Sequence, residues 1–229
     1  MQFFSYLISG ISLGSVYALI ALGYTMVYGI AKMLNFAHGD IIMIGSYIVF
    51  FAFGSAGLNP ILAIVLSMVV CTVLGVTIER IAYRPLRDAP SLAVLITAIG
   101  MSYLLQQVAQ LSWTSSPKSF TSVVKGFAPI SLFDGQLRIP AETVVTIAAC
   151  VVIMIALMLF IKYAPAGHAM LAVSEDRGAA QLMGVNVNAT ISLTFAIGSA
   201  LAAVAGALLC SAYPTLQPTT GAMPGIKAF

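Results

Sequence analysis

The sequence predicts an all-α, polytopic membrane protein with about six transmembrane helices. Two features of composition point there: 60% of the 229 residues are hydrophobic and only 7% are charged, against roughly 25% charged in a soluble domain. A third is placement, because the seventeen formal charges fall between long uncharged stretches, as they do when lipid is the solvent. The net charge of +3 is small and scattered, so nucleic acid is not an expected partner and the lipid bilayer is.

Roughly 20 apolar residues cross a bilayer as a helix, and the runs follow that ruler. Residues 4–30 carry no charge. Residues 41–58 end at the turn signal Asn59-Pro60, and 61–78 stop at Glu79-Arg80. Residues 92–113, 143–161 and 190–213 complete the six. Without period-two alternation these runs exclude a barrel, which leaves helices as the lipid-stable alternative. The opening run has no basic leader and is too long for a signal-peptide core, so it counts as a span.

Orientation follows from the basic residues of short loops. Arg80, Arg84 and Arg87 form the densest basic cluster, which places residues 79–91 in the cytoplasm. Lys32, Lys162 and Arg177 then fall on the same side, against Lys118, Lys125 and Arg138 outside.

Residues 163–189 form a cytoplasmic loop that contains a short helix. Ser174 suits its N-cap, Glu175 and Asp176 suit its first turn, and Gly184 suits its stop. Ala179, Leu182 and Met183 share one face at i, i+3, i+4. A small-residue face permits close docking into a partner's groove. Resting on lipid headgroups is the other reading, but a single Arg beside two acids lacks the basic, aromatic make-up of lipid-facing helices.

Residues 167–206 resemble the coupling-loop region of bacterial ABC-transporter permeases for branched-chain amino acids, in particular the LivH-type subunit. The stretch from Leu13 to Thr25 agrees, as do Asn35-Phe36-Ala37-His38-Gly39-Asp40 with Gly45-Ser46-Tyr47, and the run from Ile78 to Arg87. The four stretches stand in family order and cover nearly the whole chain. The resemblance implies one transmembrane permease domain over 1–229, incomplete at its C-terminus, in a bacterial inner membrane. It also implies two cytoplasmic ABC ATPase subunits, a second related permease, and a periplasmic binding protein delivering leucine, isoleucine or valine. The helix over 175–184 would touch an ATPase, with Glu175, Asp176, Ala179, Ala180 and Gly184 as the coupling residues.

The residues themselves support a subunit that is not an enzyme. Lys118-Ser119 is the only Lys followed by Ser or Thr, and Pro117 precedes it in place of the glycine that a phosphate-binding loop needs. An ion-coupled secondary carrier is the alternative, yet such carriers place ionisable groups inside their spans; here only Lys32 and Asp40 come close. Gly10-Ile11-Ser12-Leu13-Gly14 matches a nucleophile-elbow string, but in a lipid-spanning run it reads as a close-packing glycine pair. Cys71, Cys150 and Cys210 lie in apolar runs as buried hydrophobes. His38 and His168 have no metal-spaced partners, so neither metal nor cofactor is expected.

Two regions are candidates for the translocation path. Residues 32–40 read either as a cytoplasmic turn or as the break of one interrupted helix over 25–53, with the first span ending at Leu22. Breaks of this kind bring free N–H and C=O groups to a substrate path, and Asn35, Phe36, His38 and Gly39 would line it. Gln106 and Gln110, at i, i+4 near one end of the fourth span, are either interhelical glue or a polar rim of the same path. Gly198, Ala202 and Gly206, every fourth residue of the last span, form a stripe for close helix packing.

Overall fold

The computed structural model describes residues 2–87, 89–124, 130–132 and 137–228; Lys125, assigned above to the outer loop, lies outside them. Among the described residues, six helices are long and apolar enough to cross a membrane: Tyr6–Ala31, His38–Ser55, Pro60–Leu86, Ser91–Trp113, Ala141–Tyr163 and Val187–Ala212.

The first is α1 (Gln2–Ala31), which runs without interruption through Gly23-Tyr24. The first run is therefore one helix and does not end at Leu22. Nothing approaches a Cβ built on Gly10 or Gly14 within 4 Å, so these two glycines pack no helix closely among the described residues. α2 (His38–Val49) follows a six-residue break and continues as π-helical turns over Phe50–Ser55. α3 (Pro60–Ile78) starts where sequence logic puts it, with Asn59 accepting from the Ile61 N–H and Pro60 leading the helix. It does not stop at Glu79, however. A π-turn over Glu79–Tyr83 and a 3₁₀ turn over Arg84–Leu86 carry it about two turns further. α4 (Ser91–Trp113) and α5 (Ala141–Tyr163) each start after a proline.

Two helices fill the loop before the last span. α6 (Pro165–Glu175) absorbs Ser174, whose hydroxyl donates to the Leu171 carbonyl inside the helix. Asp176, not Ser174, caps α7 (Arg177–Leu182) by accepting from the N–H groups of Gly178 and Ala179. Gly184 closes it at φ +87°, as expected of a glycine stop. α8 (Val187–Ala212) is then capped by Asn186.

Short strands appear at the opposite end: β1 (Lys118–Ser119) pairs antiparallel with β4 (Thr215–Leu216), and β2 (Ile130–Leu132) with β3 (Leu137–Ile139). α9 (Ala222–Ala228) follows β4.

α8 is the axis of the bundle, packed against α3, α1 and α2. Its small-residue stripe makes this possible. A Cβ on Gly198 would lie 3.2 Å from the Gly23 carbonyl of α1, and one on Gly206 would lie 2.5 Å from the Ile42 carbonyl of α2. Ala202 between them is fully buried. Hydroxyls lock the same interfaces: Ser67 of α3 donates to the Gly45 carbonyl of α2 at 2.9 Å. Arg80, Arg84, Arg87 and Arg177 share one end of the bundle, called here the basic end. Aromatic side chains collect at the other, where Tyr47 and Trp113 stack at 4.5 Å beside Phe51, and the Lys118 ammonium sits 5.2 Å from the Phe51 ring centroid.

Candidate functional site

The break between α1 and α2 is the most organised irregular backbone in the bundle. Lys32 ends α1 with φ 53° and is exposed, its N–H still bonded to the Tyr28 carbonyl. It therefore stays at the basic end and does not burden the apolar interior. From there the chain turns back inward. Asn35 is buried and its side-chain oxygen accepts from the Tyr83 hydroxyl at 2.9 Å, while the His38 N–H bonds to the Asn35 carbonyl. His38, first residue of α2, is also buried. Its ring packs edge-on to Tyr24 at 5.9 Å and fills the space a side chain at Gly23 would need. Because Gly23 also meets Gly198, near the midpoint of α8, α2 begins at mid-bundle depth. The break is thus a turn from the basic end that dips to the middle, combining features of both sequence readings.

Gly39 fixes what lies beside the break. A Cβ there would stand 2.6 Å from the Gly221 carbonyl and 3.5 Å from the Gly225 Cα. The backbones of α2 and the segment leading into α9 therefore touch. A cavity of about 260 Å³ opens between these elements and the middle of α4, with Tyr24, Phe36, Gly39, Ser102, Gln106 and Gly225 among its walls. Of the proposed path residues, Phe36, Gly39 and Gln106 meet at this cavity, whereas Asn35 and His38 are held behind it in the packing that shapes the turn. Gln110, one turn beyond Gln106 on α4, does not line it.

Asp40 is the residue that sequence reasoning left out of the path. It is 1% exposed, and its carboxylate accepts from the Gln106 side-chain amide at 2.9 Å; the same amide nitrogen reaches the Ser102 hydroxyl at 3.2 Å. Its place in the first turn of α2 is favourable by about 0.3–1 kcal/mol, and by about 2 kcal/mol at most in partly buried geometry. Removing a carboxylate from water costs several kcal/mol, so the helix dipole alone does not account for it. Its i+2 spacing from His38 was visible in the sequence; its partner 66 residues away was not.

A second polar cluster occupies the basic end. Glu79 is fully buried and pairs with Arg87; Ser192 of α8 donates to the other carboxylate oxygen at 2.6 Å, and Arg87 also donates to Asn188. Beside it Arg84, Arg87, Arg177, Gln181 and Asn188 line a notch of about 620 Å³ next to α7. Arg177 donates to the Ala31 carbonyl, tying α7 to the end of α1. Of the proposed coupling residues, Glu175, Asp176, Ala179 and Gly184 are exposed, while Ala180 is buried against the bundle. Leu182 and Met183, adjacent at the end of α7, stand 90% and 85% exposed.

Six helices long and apolar enough to cross a membrane, one entered through a dipping turn beside a mid-bundle cavity, are the architecture of an integral membrane protein. The profile described as "branched-chain amino acid transport system / permease component" matches residues 6–229. The chain belongs to that permease family. It is 43% identical over 234 residues to the high-affinity branched-chain amino acid transport system permease protein BraD of Pseudomonas aeruginosa, covering 97% of this chain and 76% of BraD. It is 40% identical over 247 residues to LivH of Escherichia coli K12, covering 100% of this chain and 77% of LivH. A probable LivH of Methanocaldococcus jannaschii is 30% identical over 92% of this chain and 67% of its own length. No solved structure matches the chain.

Proposed function

We propose that this protein is the permease subunit of an ATP-driven importer for leucine, isoleucine and valine in a bacterial inner membrane. The near-complete match to branched-chain amino acid permeases carries this reading. The basic end faces the cytoplasm, in keeping with the excess of Arg and Lys there. Nucleotide binding and hydrolysis reside on two separate ATPase subunits, a related permease completes the pathway, and a periplasmic binding protein delivers the substrate.

The segment 163–189 is the coupling loop, and α7 with Leu182 and Met183 is its contact with an ATPase. Glu175, Asp176, Ala179 and Gly184 frame that contact, and Ala180 anchors α7 from beneath. Exchanging both Leu182 and Met183 for Asp is expected to abolish co-purification of the ATPase, or to leave ATP hydrolysis no longer stimulated by substrate. Because both side chains are exposed, the purified permease should keep its thermal stability within about 0.5 kcal/mol, the usual range for surface changes. Intact stimulation in that variant removes α7 from the coupling role. Uptake that persists without the ATPases and collapses with an uncoupler would indicate an ion-coupled carrier instead.

The path runs past the dipping turn, with Phe36, Gly39 and Gln106 on its wall, Asn35 and His38 holding the turn in shape, and Gln110 further along α4. Replacing Asn35 and His38 together by Ala should lower the uptake rate at least tenfold in reconstituted importer. Normal uptake by the double variant would exclude the turn from the path.

A further inference from the structure

Asp40 is a buried carboxylate in a spanning helix whose side-chain partners are the Gln106 amide and the Ser102 hydroxyl, which also bond to each other. Among the described residues the only ion pair is Glu79–Arg87, so none of their Lys, Arg or His nitrogens lies within 4 Å of the Asp40 carboxylate oxygens. His38, two residues away, turns its ring toward Gly23 and Tyr24, and Lys227 of α9 is exposed. A carboxylate accepts only, so the nitrogen of the Gln106 amide must face Asp40. Both of its N–H groups are then committed, one to Asp40 and one to Ser102. That leaves the amide oxygen as the group Gln106 offers to the cavity it lines. The wall between α2, α4 and α9 therefore presents an acceptor, backed by a negative charge that no cation among the described residues pairs with. Burial in apolar surroundings leaves the field of that charge poorly screened, and ionisable groups at this depth mark substrate contacts in transport proteins.

We propose that this cavity is a cation-selecting station that holds the ammonium group of the amino acid in transit. Gln106 makes the contact; Asp40 is a positioning residue that orients the amide and supplies the field. The proposal rests on the importer reading and adds which end of the zwitterion this wall receives. Tyr24 and Phe36 border the same space and suit an apolar side chain beside the ammonium.

The test uses the assembled importer in membrane vesicles, with Cys71, Cys150 and Cys210 replaced and the cavity-lining Ile99 changed to Cys. Modification rates are compared for a cationic aminoethyl methanethiosulfonate and its anionic sulfonatoethyl analogue, alongside ATP-dependent leucine uptake. Asp40→Asn should lower the cation-to-anion rate ratio at least tenfold and leucine uptake by a similar factor. Adding Gln106→Glu to Asp40→Asn should restore both, because the amide introduced on α2 can donate to the carboxylate introduced on α4, and the charge returns to the wall. The rate ratio separates charge from folding, since a merely structural Asp40 predicts reduced uptake in Asp40→Asn with the cation-to-anion ratio unchanged. A rate ratio indifferent to Asp40→Asn overturns the proposal. So does a lost ratio with unchanged uptake, or an assembled double variant that fails to recover. If the importer reading itself is wrong, leucine uptake by the parent complex is already absent, before Asp40 is altered.

Discussion

Removing the carboxylate of Glu79 will destabilise the protein by about 3–5 kcal/mol, the cost of leaving one partner of a buried pair alone. Arg87 is the partner left behind. Its side chain is 10% exposed, and its Nε already has no partner among the described residues. With Glu79→Ala the guanidinium keeps only Asn188 from its present contacts, and the Ser192 hydroxyl loses its acceptor. The four residues come from the end of α3, the turn after it and the start of α8, so the damage falls where these elements meet. A thermal aggregation curve of the detergent-purified protein reads the effect as a marked drop in midpoint. The double change Glu79→Leu with Arg87→Met should recover much of it, since an apolar pair of similar size replaces the ions without stranding either. Equal stability of Glu79→Ala and the parent would mean that the cluster does not hold α3 to α8.

Gly206→Val is expected to prevent assembly of the bundle. The new Cβ would meet the Ile42 carbonyl at 2.5 Å, the Ser46 hydroxyl at 2.6 Å and Ile42 Cγ2 at 3.3 Å. Two of those atoms cannot retreat cheaply: one is α2 backbone, and Ser46 Oγ is itself bonded to that carbonyl at 2.9 Å. Overpacking a core typically costs about 1–3 kcal/mol, and contact with backbone on the axial helix puts this site at or above the upper end. The matched control is Gly10→Ala, where nothing lies within 4 Å. There the helix-propensity gain of up to about 1 kcal/mol is unopposed. Membrane-fraction yield and size-exclusion profile should separate the two sharply. A monodisperse Gly206→Val protein would refute the close α2–α8 contact.

The spans were legible because charge punctuates them and because lipid demands length. What hydropathy does not rank is who faces whom. α5 has the highest mean hydropathy, 3.1, with 6% of its best window buried; α8 has 2.1 with 72% buried. Lipid is as apolar as any core, so the oiliest helix gains nothing from the interior, and small residues gain close contact there. Gly198, Ala202 and Gly206 announced this in the sequence, whereas Gly10 and Gly14 looked the same and pack against nothing among the described residues. Residues 174–176 show a different failure. Ser174 and Asp176 are both good caps, and local chemistry does not choose between them. In the fold α6 runs through Ser174, Asp176 takes the cap, and Arg177 reaches the end of α1. The Asp40–Gln106 and Glu79–Arg87–Ser192 contacts cross 66 and 113 positions at their widest, beyond the reach of any helical period. Glu79 was misread for that reason: beside Arg80 it resembled the hydrophilic end of a span, when α3 continues past it.

The contact of Gly39 with Gly221 has a mechanical consequence. Neither position has room for even a methyl group, so the α2 start cannot slide across the α9 approach without one backbone pushing the other. Any tilt transmitted through α1 and the dipping turn is thereby handed on to α9 as displacement rather than absorbed by yielding side chains. The two sides of the cavity wall are thus joined at a fixed point with no compliant side chain between them.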